Sequence, residues 1–206
     1  ARDSLTYSAC LPDGSPLPAW LSFNPATQTF SGTPLNDDVG SLNVRVTATD
    51  TAGASAAQDF TVTVNNTNDG PVASATIADQ SINEDAGFSF AVPASSFTDV
   101  DVGDSLTLSA SLADGSPLPA WLSFNPATQT FSGTPLNDDV GAINIRVTAT
   151  DTSGASATQD FQVTVNNTND APVITSSGAA GFAENDTGTV YTAAATDVDA
   201  GATLTY

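Results

Sequence analysis

The chain is 206 residues long and carries 23 Asp and Glu against 3 Arg, with no Lys, His or Met, a single Cys and a formal charge of −20 at pH 7. Without His or Lys, and with Cys10 the only thiol, it offers no Ser-His-Asp triad, no Cys-His pair, no Schiff-base or P-loop lysine and no zinc site of the Cys/His kind. So much negative charge repels phosphate backbones and anionic headgroups, which makes nucleic acid a poor partner and leaves hard cations as the natural ones.

No run of 18 apolar residues is present, so no membrane insertion is expected, and with no charged-then-apolar leader the sequence reads as an internal segment of something larger. It also repeats itself. Residues Leu11 to Pro71 overlay Leu112 to Pro172 at a constant offset of 101, and 8 of those 61 positions differ, each with polarity and size nearly kept. A fainter copy opens after Pro172, where residues 173–206 echo 72–108. The expected organisation is therefore the C-terminal part of one repeat over 1–71, a complete repeat over 72–172 and the N-terminal part of a further repeat over 173–206. Cys10 faces Ser111 in the other copy and reads as a passenger.

Within the complete repeat, taken in chain order, Phe88–Val92, Leu106–Leu108, Ile143–Ala149 and Phe161–Val165 alternate apolar and polar residues, the period of half-buried strands. Turn signals fall between them at Asp114-Gly115, Asn125-Pro126, Ser132-Gly133, Gly141 and Gly154. Helical periodicity is absent. Short strands in a unit of roughly 100 residues predict an all-β fold of tandem antiparallel β-sandwich repeats. Trp121, Leu122, Phe124 and Phe131 are expected in the core, with Trp20, Leu21, Phe23 and Phe30 matching them in the first copy. The competing reading is an exposed Trp stacked on a sugar ring. Arg45 and Arg146 hold equivalent strand positions and are expected to pair with a neighbouring acid.

The acids gather at predicted strand ends and connections: Glu84-Asp85, Asp99-Val100-Asp101, Asn137-Asp138-Asp139, Asp151, and the run Asn166 to Asp170 just before Pro172. Asp and Asn are ordinary turn formers, and that accounts for isolated Asp13 and Asp114. It accounts less well for the Asp-x-Asp pair and the repeat junction, because like charges two residues apart repel unless something neutralises them. Calcium takes roughly six to eight oxygens from carboxylates, amides and carbonyls in irregular geometry. Magnesium wants fewer protein ligands and a tighter octahedron, and transition metals prefer the imidazole and thiolate missing here. The cation expected is Ca²⁺.

At these positions the sequence resembles the cadherin-like repeats, in particular the dystroglycan-type cadherin-like modules of large bacterial secreted and surface proteins. Gly133 to Asp139 followed by Val147 to Asp151 is similar to the run in which a Leu-Asp-Arg-Glu motif precedes a strand ending Ala-x-Asp. Asn166 to Pro172 is similar to the linker Asp-x-Asn-Asp-Asn-Ala-Pro; Asp99 and Asp101 match the Asp-x-Asp motif, and Glu84 the lone N-terminal Glu. The sequence departs from the pattern where Asn replaces the first acid of the Asp-Arg-Glu motif, and where Thr67 or Thr168 replaces a linker amide. The resemblance covers nearly the whole chain and implies calcium clusters shared by the end of one module, the linker and the start of the next. The first cluster would draw on Asn36, Asp38, Asn68, Asp69, Asp99, Asp101 and Asp151. The second would draw on Glu84, Asn137, Asp139, Asn169, Asp170, Asp197 and Asp199.

The function expected is that of a calcium-dependent structural and adhesive repeat, not an enzyme, in a secreted or cell-surface protein, with calcium stiffening the junctions between repeats. The alternative is a calcium-assisted module that binds polysaccharide. Partial repeats at both ends would suit a second copy of the chain, in a strand-exchanged homodimer or head-to-tail assembly, or another cadherin-like module.

Overall fold

A computed structural model describes residues 4–176, 178–181, 183–185, 187–189, 191–199 and 201–205. The chain falls into two units, residues 1–69 with 100–104, and residues 70–99 with 105–206. Among the described residues regular structure is β-strand and short 3-10 turns, as the period-2 alternation requires.

The first unit contains β1 (Thr6–Cys10), β2 (Leu21–Asn24), β3 (Thr29–Gly32), β4 (Gly40–Thr49) and β5 (Ser55–Val64). They form a three-stranded sheet in the order β1-β4-β5 and a β2-β3 hairpin, all antiparallel.

The second unit contains β6 (Val72–Ala73), β7 (Gln80–Asn83), β8 (Phe88–Ala91), β9 (Phe97–Thr98), β10 (Thr107–Leu112), β11 (Leu122–Asn125), β12 (Thr130–Gly133), β13 (Gly141–Thr150), β14 (Ser156–Asn166), β15 (Val173–Ile174) and β16 (Ala195–Thr196). One sheet runs β10-β13-β14-β7 and the other β11-β12-β8. Their inward side chains meet in one core that includes Phe131, Ile145, Val147, Phe161 and Val163, with Trp121 and Phe124 packed against it. Phe131 stacks edge-on against Phe161 at 5.6 Å, and Trp121 meets Phe88 edge-on at 6.3 Å. Trp121 is thus a partly buried packing residue.

Two features depart from the sequence reading. The sandwich is not wholly antiparallel: β7 adds to β14 in parallel, with Val163 opposite Gln80 and Asn166 opposite Asn83. Alternation tells which face of a strand is buried and leaves its direction open. After β7 the chain turns at Asp85, whose φ is 61°, and crosses to the other sheet, where β8 pairs with β12. The second departure is the core of the first unit. Among the described residues its buried apolar side chains are Leu21 and Val44, whereas Trp20, Phe23 and Phe30 are half-buried. Phe60 is 37% exposed where its counterpart Phe161 is 3% exposed. The cause is local: among the described residues β5 and β3 carry no strand on the edges that β7 and β8 cover on β14 and β12.

Candidate metal centre

Each linker Asp in the structure is held by two bonds that the repeat reproduces. In the first unit the Asn36 Nδ2 donates to Asp69 Oδ2 at 2.8 Å, and the Asp69 N–H donates to Asp101 Oδ2 at 2.8 Å. In the second, Asn137 Nδ2 donates to Asp170 Oδ2 at 2.8 Å and the Asp170 N–H donates to Asp199 Oδ2 at 2.9 Å. The 3-10 turns Asn36–Asp38 and Asn137–Asp139 aim these amides. They are built by Asp38 and Asp139, whose Oδ2 atoms accept the N–H of Leu35 and Leu136 at 2.9 Å. In the linkers, Asn68 and Asn169 donate their side-chain amides to the carbonyls of Asp69 and Asp170.

In the second unit a buried acid joins this scaffold. Glu84 is 2% exposed, fixed by its own N–H to the Asn166 carbonyl at 3.0 Å. Its Oε1 accepts the Thr168 N–H at 2.6 Å. Carboxylate oxygens of Glu84, Asp170 and Asp199 lie within 4.8 Å of one another. Glu84 Oε2 and Asp199 Oδ1 are both buried and meet no hydrogen-bond donor among the described residues. Asp197 turns one oxygen to the Asp199 N–H at 3.0 Å; Asp139 and Asp197 are not members of the three-carboxylate group. Also in this unit, Asp99 and Asp151 bring carboxylate oxygens within 4.8 Å. Asp151 is buried, and its Oδ1 accepts the N–H of Ser153 and Ala155 at 2.9 and 2.8 Å.

Comparison with known proteins then places the chain. A family model described as "Putative Ig domain" (He_PIG) matches residues 1–65 and 70–166. The chain belongs to the He_PIG family of immunoglobulin-like domains. It is 31% identical over 163 residues, 79% of its length, to a serine-rich adhesin for platelets of Staphylococcus aureus strain MRSA252, and spans 11% of that adhesin. In solved structures it resembles mouse cadherin-23 repeats EC22–24 with a TM-score of 0.59 at 21% identity, covering 96% of this chain and 66% of that one. It resembles protocadherin gammaB7 repeats EC3–6 at the same TM-score and identity, covering 98% and 50%. These structural likenesses carry the fold, that of cadherin-like repeats.

The electrostatics of this He_PIG chain sharpen the question of what neutralises its buried acids. Among the described residues the ion pairs are Arg45 with Asp59 and Arg146 with Asp160, on exposed strand faces. Both are two-pronged, as the guanidinium fork favours: Arg146 Nε and Nη2 donate to the two oxygens of Asp160 at 2.8 and 2.7 Å. Hydrogen bonding by Arg146 holds the Asp160 carboxyl below its ordinary range, and Arg45 does the same to Asp59. Both described arginines are thereby committed away from Glu84, Asp170 and Asp199. Cys10 is a free thiol on β1, paired across the ladder with Arg45.

Sequence reasoning picked out Glu84, Asp170 and Asp199 as members of one junction. It missed the part played by Thr168, which it read as a lost side-chain amide. Thr168 acts through its backbone N–H, so its side chain carries no signal of the contact.

Proposed function

We propose that this chain is a calcium-dependent structural and adhesive repeat segment of a secreted or cell-surface protein. In this reading calcium is held at repeat junctions and stiffens them, and the segment 173–206 opens a further repeat after the complete one at 72–172. The observation that carries the reading is the pair of buried carboxylate oxygens, Glu84 Oε2 and Asp199 Oδ1, which have no donor among the described residues and belong to one tight group of three acids. Burying charge without a partner is strongly unfavourable, and this donor set is all hard oxygen, the chemistry of Ca²⁺.

Glu84 would supply the cation with its free Oε2, Asp199 with Oδ1 and Asp170 with a carboxylate oxygen. Asn137, Asp139, Asn169 and Asp197 set the surrounding turn and linker. In the first unit Asn36, Asp38, Asn68, Asp69 and Asp101 repeat the scaffold; in the second, Asp99 and Asp151 would supply a further acidic pair. A cation at Glu84, Asp170 and Asp199 would tie β7, the 166–170 linker and the residues after β16 to one point. Without it, three like charges oppose the same closure.

Adhesion as the role of the longer protein is supported by the staphylococcal relative, an adhesin by name, of which the chain spans about a tenth. Partners would be a second copy or another cadherin-like module. A polysaccharide-binding role has less support, because Trp121 is packed against Phe88 and the core. Calorimetric titration with calcium chloride tests the reading. Saturable binding with a Kd of about 10⁻⁴ to 10⁻³ M, the range of extracellular modules, is expected, and it should weaken at least tenfold in Glu84→Gln. No heat and no change in melting temperature in millimolar calcium would overturn it.

A further inference from the structure

Beside the acidic junctions lies an apolar feature that cation binding does not use. In the first unit Leu35 is 70% exposed and Val100 57% exposed; together with Asn36 and Asp37 they line a groove of about 450 Å³. Leu35 also lines a second groove of about 230 Å³, shared with Val39, Val64 and Asp69 among others. In the second unit the repeat-equivalent residues Leu136 and Val198 are 56% and 61% exposed. A single exposed Leu is ordinary. An exposed Leu and an exposed Val recur at matching places next to the acids of both units, and in the first unit they line one groove, an apolar surface of the kind that marks an interaction site. The thinner core of the first unit does not explain the exposure, because Leu136 is open on the unit whose core is continuous.

Charge decides the kind of partner. Asp37 lines the first groove and Asp69 the second, with Asp138 and Asp170 at the corresponding positions of the second unit. A second copy would bring another −20 of the same sign, which opposes close approach. We propose that the Leu35–Val100 surface and its Leu136–Val198 counterpart dock a basic apolar peptide segment, in which one or two aliphatic side chains enter the grooves and flanking Lys or Arg face the aspartates. The cations of that segment and a metal ion at the junction would draw on the same carboxylates of Asp69 and Asp170, so each weakens the other by the same factor. This calcium antagonism, and nothing else in the proposal, rests on the reading of the junction as a cation site.

Fluorescence anisotropy with the 206-residue chain tests it, using labelled Lys-Lys-Leu-Leu-Lys-Lys, Lys-Lys-Ala-Ala-Lys-Lys and Glu-Glu-Leu-Leu-Glu-Glu in EDTA. The Leu-centred basic peptide is expected to bind about tenfold tighter than the Ala-centred one, and the acidic peptide not at all. The double variant Leu35→Ser/Leu136→Ser changes exposed side chains only and should erase that preference with its melting curve intact. Val100→Ser/Val198→Ser gives an independent second arm. Equal binding of the two basic peptides to the unaltered chain, or a preference surviving in both double variants, would overturn the docking surface and leave attraction by charge alone. Raising calcium at constant ionic strength is expected to weaken the Leu-centred peptide. A Leu preference indifferent to calcium supports the docking surface and overturns the antagonism; calcium binding without any Leu preference overturns the docking surface and leaves the cation site standing.

Discussion

Burying a carboxylate costs several kcal/mol unless its oxygens find donors or a cation, and Glu84 meets that requirement on one side only. Its Oε1 is bonded to the Thr168 N–H and its Oε2 is buried with no donor among the described residues. Glu84→Gln keeps an acceptor for Thr168 and removes a buried charge, so stability in EDTA should be unchanged or slightly higher. The calcium response should suffer. For a Kd of about 10⁻⁴ to 10⁻³ M, 10 mM calcium stabilises by about 1.4 to 2.7 kcal/mol, and most of that gain is expected to vanish in Glu84→Gln when melting curves are compared with and without calcium. An undiminished gain would mean that Glu84 holds no ion. Glu84 was legible as a ligand candidate through its match to the lone N-terminal Glu of cadherin-like repeats; its second job, latching the linker through Thr168, was not, because a backbone donor leaves no trace in residue type.

The outer-face pairs make a separate, pH-dependent expectation. The folded Asp160 and Asp59 carboxyls lie below the ordinary value of 3.8, chiefly through hydrogen bonds from Arg146 and Arg45. Their stabilising contribution is therefore complete above that value and is lost as pH falls from it through the lower folded value. Both pairs are exposed, so the effect is small. Carboxyl NMR titration should place Asp160 and Asp59 below an ordinary Asp, and Arg146→Gln should return Asp160 towards 3.8.

Strands show where pattern is informative and where it stops. Alternating Ile143–Ala149 and Phe161–Val165 lie inside β13 and β14, because long strands with one buried face write a clean period. β7 holds four residues with Ile82 its one large apolar side chain, too short to stand out, and its parallel pairing depends on a partner about 80 residues away. β11 and β12 were visible as core residues and not as a hairpin. Their turn is built by Asn125 Oδ1, which accepts the N–H of Ala127 at 2.9 Å, and by Gln129 at φ 53°. Gly133 ends β12 for a packing reason: a Cβ there would come 1.9 Å from the Trp121 carbonyl oxygen. Backbone would have to move, so Gly133→Ala is expected to cost about 1 to 3 kcal/mol, read from urea unfolding. Substitution within about 0.5 kcal/mol of the parent would mean that Trp121 and β12 are not so closely apposed.

The offset of 101 residues announced one complete repeat and a matching stretch of 61 residues from another, and those matching residues are not equally enclosed. In the second unit β7 and β8 cover the edges of β14 and β12, and Phe131, Ile145, Val147 and Val163 are fully enclosed. The first unit encloses Leu21 and Val44, leaving Phe60 partly in water. Stability follows buried apolar surface, so calorimetry of the chain should resolve two transitions, the lower one from the first unit. Phe131→Ala removes a fully buried ring and is expected to cost about 3 to 5 kcal/mol, lowering the upper transition alone. Phe30→Ala, at the same repeat position but half-buried, should cost less and lower the other. Calcium should raise the upper transition, where Glu84, Asp170 and Asp199 come together. One transition displaced alike by both substitutions would mean that the two units unfold as a single cooperative body, and the difference in enclosure would then have no separate thermal signature.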